Sequence, residues 1–273
     1  MLLYCSMVGP SLAQNVSVSP QRVVLEHGEK FAEMLIFNSG DNAALVRVSL
    51  RNLKMTKAGI LVVSEEEATY FADDMLRVAP RQMKVEPKSR QVLRIVANKP
   101  GDLANGEYHT HIVVKVIPSL EKVQSASSAS VEDDKSAISL LAITELVFPV
   151  IVRKGDALDA AIEIEAAQLI TRDDGKSEVA IKLNRTGERS VIGDIRAYYS
   201  RDDGSPDEEI GLIKGVAIYT ELDTRLIRLP LHQEALTKAG LTENSGGHIK
   251  VDFIETRGAE DRLSASHLVP LTR

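Results

Sequence analysis

Tryptophan is absent from this 273-residue sequence, aromatic residues amount to 4%, and cysteine occurs once, as Cys5. An interior without tryptophan must be filled by Val, Ile, Leu and Ala, and a core rich in β-branched residues leans toward strands. A lone cysteine excludes an intramolecular disulfide, a C-x-x-C redox pair and a thiolate zinc site. No run after the first residues approaches the roughly 18 apolar residues of a transmembrane segment. The formal net charge of -6 gives no general attraction to nucleic acid or to an anionic membrane. Also missing are G-x-S-x-G, a P-loop, a Rossmann fingerprint and H-E-x-x-H. The Asp-rich turns lack the D-x-D-x-D-G spacing of a calcium loop. The chain therefore reads as non-enzymatic, with no cofactor and no resident metal.

The segment MLLYCSMVGPSLAQN has an apolar patch from Leu2 to Val8 and a small-residue ending before Gln14. This is the pattern of the back half of a secretory signal cleaved after Ala13, with its start truncated. Residues 1–13 are assigned to that signal, and the mature chain is expected outside the cytoplasm.

What remains is dominated by period-2 alternation punctuated by Pro, Gly and Asn. Strands are read at NVSVSPQRVVLEHGEK, broken or shifted at Pro20, and at FAEMLIFN, AALVRVSLRNLKM, MLRVAPRQMKVEP, RQVLRIVANKP and EYHTHIVVKVIP. Residues 119–136, SLEKVQSASSASVEDDKS, are rich in Ser, Ala and charge and are read as a mobile loop. The apolar run AISLLAITELVFPVIVRKGD follows, interrupted by Pro149, which cannot donate to a ladder and belongs at an edge, bulge or bend. A second series of strands starts after Gly155, with two Asp-Asp-Gly turns and one short helix in HQEALTKAGLTENSGG. The expectation is an all-β protein of two sandwich domains, residues 14–153 and 154–273.

The ordered set VSPQRVVLEHGEK, IFNSGDNAALVRVSL, LRVAPRQMKVEPKSRQVLRI, GEYHTHIVVKVIP and LLAITELVFPVIVRKGD resembles the N-terminal domain of PapD-like periplasmic pilus-assembly chaperones, in a divergent branch of that family. The resemblance implies two immunoglobulin-like β-sandwiches arranged as a boomerang. It implies a periplasmic chaperone that lends a strand, here about residues 137–148, to a pilus or surface-fibre subunit lacking one. Backbone hydrogen bonds would align that strand and alternate side chains would fill pockets. Ile138, Leu140, Ala142 and Thr144 would share one face, and Leu141, Ile143 and Glu145 the other. The family also clamps the client's terminal carboxylate between an Arg and a Lys. Arg22 in SPQRVV occupies the Arg position, whereas Pro149 stands where the Lys is expected; Lys115 and Lys154 are the candidate substitutes. An outer-membrane usher and self-association through the donor edge are further partners that the resemblance leaves open. The competing reading is a non-donating binding or structural module of a cell-surface assembly.

His109 and His111, two of six histidines, stand two residues apart in GEYHTHIVVKVIP and so share one strand face. A metal site needs at least one more ligand, and His27 lies on another strand end. They are read as residues of a sheet face.

Overall fold

The computed structural model describes residues 16–64, 68–117, 143–202, 206–241, 246–257 and 260–271. These fall into two compact units. One comprises residues up to Asn52, Phe71–Leu103 and Tyr108–Arg153; the other comprises Leu53–Tyr70, Ala104–Glu107 and the chain from Lys154 onward.

The first unit is built from two sheets. Strands β1 (Val16–Ser19), β3 (Phe31–Asn38), β9 (Ser89–Ala97) and β7 (Leu76–Ala79) lie in the order β1-β3-β9-β7. The facing sheet has the order β2-β11-β10-β4-β8, with β2 at Val23–Leu25, β11 at Thr144–Lys154, β10 at Gly106–Ile117, β4 at Ala44–Arg51 and β8 at Gln82–Val85. Period-2 alternation supplies the core between them. Met34, Ile36, Leu93 and Ile95 point inward from the first sheet, and Val46, Val48, Ile112, Val114, Val150 and Val152 from the second. Burying each such side chain stabilises the fold by roughly 1.5–3 kcal/mol. The opposite face of β3 and β9 is not covered among the described residues: Phe31, Leu35, Phe37, Val92 and Val96 remain 40–65% exposed.

Turn chemistry follows the sequence closely at Ser39 to Asn42. The buried Asn38 amide donates to the carbonyls of Asn42 (2.8 Å) and Val85 (3.1 Å), while its oxygen accepts the Gly40 N–H at 3.0 Å. One side chain thus satisfies backbone groups that the turn would otherwise leave unpaired.

Two runs expected as single strands are divided. AALVRVSLRNLKM ends as β4 at Arg51, and a separate β5 (Leu53–Met55) pairs with β6 (Leu61–Val63). At the break, the Thr110 hydroxyl donates to the Asn52 side-chain oxygen at 2.7 Å. MLRVAPRQMKVEP is split at Pro80 and Arg81, with β7 joining one sheet and β8 the other. Proline removes a ladder donor at the crossing.

In the second unit, β12 (Ala160–Thr171), β13 (Ser177–Gly187) and β16 (Thr224–Pro230) form one sheet. The other has the order β15-β14-β17-β18, comprising β15 (Glu208–Ile218), β14 (Val191–Ser200), β17 (His248–Arg257) and β18 (Glu260–Pro270). One short helix, α1, spans Gln233–Lys238 within HQEALTKAGLTENSGG. The RDDGK hairpin closes with Gly175 N–H donating to Arg172 O at 2.9 Å, and Gly175 has φ +78°, a conformation glycine adopts without penalty. The β5–β6 hairpin belongs to this unit: the Met55 N–H donates to Glu221 Oε1 (3.0 Å) and the Leu226 N–H to the Lys57 carbonyl (2.8 Å).

The second unit also buries charge. Arg189 Nη1 lies 2.7 Å from Glu255 Oε1, with the two side chains only 10% and 4% exposed. The neighbouring Arg185 donates to the carbonyls of Leu222, Gly187, Arg189 and Thr220, and Glu107 Oε1 accepts the Ser190 N–H at 3.0 Å. Removing one member of a buried pair leaves the other charge uncompensated, so Arg189→Leu is expected to cost about 3–5 kcal/mol in urea unfolding. The double variant Arg189→Leu/Glu255→Leu is expected to recover much of that loss, because no charge is then stranded.

Candidate functional site: the edge of strand β11

Three residues of β2 pair parallel to β11: Val23 with Val150, Val24 with Ile151 and Leu25 with Val152. Among the described residues β2 covers no more of β11 than this. β11 has β10 as its sheet neighbour on one side, and on the β2 side residues 144–149 have no paired strand among the described residues. β2 is kept short by its own sequence, since Pro20 precedes it and a turn follows, closed by the Glu29 N–H donating to Glu26 O at 3.0 Å.

Pro149 does not interrupt the strand, which runs through it from Thr144 to Lys154. It lies one residue before the β2 pairing begins, and it has no N–H to donate to a ladder. Arg22 immediately precedes the paired residues of β2, as Pro149 immediately precedes those of β11. Alternation decides which way each points: Leu146, Phe148, Val150 and Val152 pack on the core, so Ile143, Glu145, Val147, Pro149 and Ile151 take the outer face. On β2, Val23 and Leu25 are in the core, which puts Val24 between them on that same outer face.

The outer face is cationic around one carboxylate. Arg51 Nη1 lies 3.0 Å from Glu145 Oε2, and Lys115 Nζ 3.6 Å from Glu145 Oε1. The hydrogen bond from Arg51, with both cations adding attraction, holds the Glu145 carboxyl below its ordinary range. Lys115 thus lies on the outer face beside Glu145, while Lys154 is the last residue of β11 and groups with the second unit. Ile143 and Val147 are 49% and 37% exposed on this edge, and Thr144 is half-buried on the other face. Ile138, Leu140, Leu141 and Ala142, together with the loop 119–136, lie outside the described residues. Val147 and Arg51 were not singled out from sequence, and Glu145 was expected only as part of one strand face, not as the partner of Arg51 and Lys115. The signal for Val147 was its position two residues from Pro149 in the alternation; nothing in the sequence joined Arg51 to Glu145, 94 residues away.

His109 and His111 lie on β10 and are fully buried. Their rings meet edge to face with centroids 5.9 Å apart, and Phe71 packs edge-on against His109 at 5.7 Å. The His109 carbonyl accepts the Ala72 N–H at 3.0 Å, so this strand position is fixed through its backbone as well. Among the described residues no group of three or more His, Cys, Asp or Glu side chains is placed to hold a metal ion. Burial, reinforced by the neighbouring His109, pushes the His111 imidazole down to about 3.

Two all-β sandwich units, the first with a short leading strand laid parallel against its final strand, define an immunoglobulin-like fold. Residues 15–141 match the family model of the pili and flagellar-assembly chaperones, PapD N-terminal domain. Among solved structures, the YadV chaperone aligns with a TM-score of 0.50 at 12% identity, covering 93% of this chain and 100% of that one. The Pseudomonas aeruginosa CupB2 chaperone gives 0.48 at 11% identity, over 94% and 100% of the two chains. A chain of the CsuC-CsuE chaperone-tip adhesion subunit pre-assembly complex from Acinetobacter baumannii gives 0.47 at 12%, over 93% and 96%. At such identities the likeness concerns the fold. No curated protein matches the sequence.

The depressed His111 makes stability depend on pH. Its folded value, about 3, lies below the ordinary 6.5, so the unfolded chain takes up a proton first as pH falls. The contribution is complete above pH 6.5 and is lost progressively toward pH 3. Between pH 7 and pH 5 it should decline by about 2 kcal/mol. Urea unfolding at the two pH values measures this, and in His111→Phe the pH-dependent part due to this residue should disappear.

Proposed function

We propose that the protein is a periplasmic chaperone that captures a strand-deficient pilus or surface-fibre subunit by adding the leading part of β11 to the subunit's open groove. The observation that supports this most directly is the termination of the β2 pairing at Val150, which leaves residues 144–149 with one uncovered edge among the described residues. An uncovered edge is a template for a further strand, with backbone hydrogen bonds giving alignment and alternate side chains giving specificity. Ile143 and Val147, on one face and partly exposed, are the described apolar side chains that such a groove would bury. Ile138, Leu140, Leu141, Ala142 and Thr144 would continue the contact toward the N-terminal end of the strand.

Arg22 is proposed to hold the client's terminal carboxylate, since a guanidinium offers two parallel donors to a carboxylate. With Pro149 in the position of the family's lysine, the second cation would come from elsewhere, and Lys115 is the better placed of the two substitutes because it lies on the outer face beside Glu145 of β11. Glu145 already engages Lys115 at 3.6 Å, so recruiting that ammonium requires competition with an existing carboxylate. An outer-membrane usher is the second partner expected of this function, and pairing of two copies through the β11 edge would shield it between clients. Among the described residues no helix is long and apolar enough to cross a membrane.

The exposed face of β3 and β9 favours a second reading, a binding module that uses this apolar surface without donating a strand. Co-expression with a strand-deficient pilus subunit separates the two. A donating chaperone keeps the subunit soluble in a stable complex, and Arg22→Ala is expected to weaken that complex about tenfold or more, given the 1.5–3 kcal/mol of a hydrogen bond to a charged group. A subunit that stays soluble and monomeric alone contradicts the chaperone reading. Capture unaffected by Arg22→Ala contradicts the carboxylate role.

A further inference from the structure

The parallel pairing that ends at Val150 is only three residues long and lies at the edge of its sheet, as the outermost position of β2 shows. Such a segment has few ladder hydrogen bonds of its own and belongs to the part of a fold that opens most readily. Its far end, however, is gathered by one side chain. Lys99, in the loop after β9, donates from Nζ to the carbonyls of Leu25 (3.3 Å), Glu26, His27 (3.1 Å) and Arg153 (2.9 Å). The first three belong to the end of β2 and the turn after it; the fourth belongs to β11. An ammonium has three donors and no acceptor, so it can bind several carbonyls at once and exchange among them.

A second tie lies beside it, where Arg153 Nη1 meets Glu26 Oε1 at 2.8 Å. This ion pair involves a Glu26 side chain that is more than half exposed, whereas the Lys99 contacts are made to backbone carbonyls, which hold the main chain itself. The base of the Lys99 loop is anchored independently. The Ala97 N–H donates to the Lys30 carbonyl at 2.8 Å and the Asn98 N–H to the Met75 carbonyl at 2.8 Å, so the lysine stem starts from a fixed point. The groups that act on its charge are burial, which lowers its proton affinity, and the carboxylates of Glu29 and Glu26, which raise it.

We propose that Lys99 is a positioning residue for the client-binding edge: by drawing together the backbone carbonyls that end β2 and β11, it fixes the register of their pairing and with it the placement of Arg22 immediately before the paired residues. The register is set from this end because Pro20 and the residues before β2 contribute no further pairing to β11 among the described residues. Slippage by one residue would turn Val24 to the core face and bring Val23 to the outer one. The inference rests on the strand-addition reading for its functional meaning, but the clamp acts in the chain alone.

Residue-resolved amide exchange on the full chain, compared with Lys99→Met and Lys99→Arg, tests it. Methionine keeps the length of the stem and removes every donor; arginine restores donors. In Lys99→Met the β2 and β11 amides at Val24 and Val152 should exchange at least about tenfold faster, while Met34 and Val46 in the other strands of the unit keep their rates. Lys99→Arg should recover most of the protection. Unchanged exchange at β2 in Lys99→Met overturns the proposal, as does equal acceleration throughout the unit, which would make Lys99 a general contributor to stability. Because no subunit is present, this result stands or falls separately from client capture.

Discussion

The structure of the first unit turns on how far β2 extends along β11. Three paired residues are enough to close that sheet over Val23, Leu25, Val150 and Val152, whose burial contributes to the core, and too few to cover the rest of the strand. Were β2 longer, residues 144–149 would be satisfied within the fold and there would be no edge to offer. Were it absent, the core would be exposed at Val150. Proline on one side of β2 and the Glu26 to Glu29 turn on the other set its length, so a local property of the chain decides how much of β11 it covers.

That arrangement carries a cost common to all such edges. Backbone groups without a strand partner among the described residues, beside partly exposed Ile143 and Val147, invite pairing with any extended chain. Two features temper it. Pro149 removes one donor from the strand, and Glu145, bound by Arg51 and Lys115, sets charge in the middle of the outer face. Charge beside an apolar edge discourages indiscriminate pairing while leaving a complementary partner free to meet it.

Much of this was legible from sequence because alternation and turn residues act locally. FAEMLIFN announced β3 by its period of two, and RDDGK announced a hairpin by the glycine that its positive φ requires. Arg22 and the anomaly of Pro149 could be found by likeness to a family pattern, and each immediately precedes the paired residues of its strand. What escaped was nonlocal. AALVRVSLRNLKM reads as one continuous strand, and nothing in it shows that Leu53 to Met55 would pair with β6 and group with the second unit. The same holds for Lys99, an unremarkable loop lysine until its four carbonyl partners, 54 to 74 residues away, are brought together. The histidines show the converse: their spacing attracted attention, yet packing makes them interior residues of a strand that supports β11, and the chemistry they retain is the pH dependence that burial imposes on His111.

The central claim is that the uncovered part of β11 becomes a paired strand when a client binds. Amide exchange at residues 144–148, measured with and without a strand-deficient pilus subunit, tests it most directly. Marked slowing at these positions within the complex is the expected result, since their outward N–H groups would then be held by the subunit. A complex that forms while exchange along this edge stays unchanged would contradict strand addition.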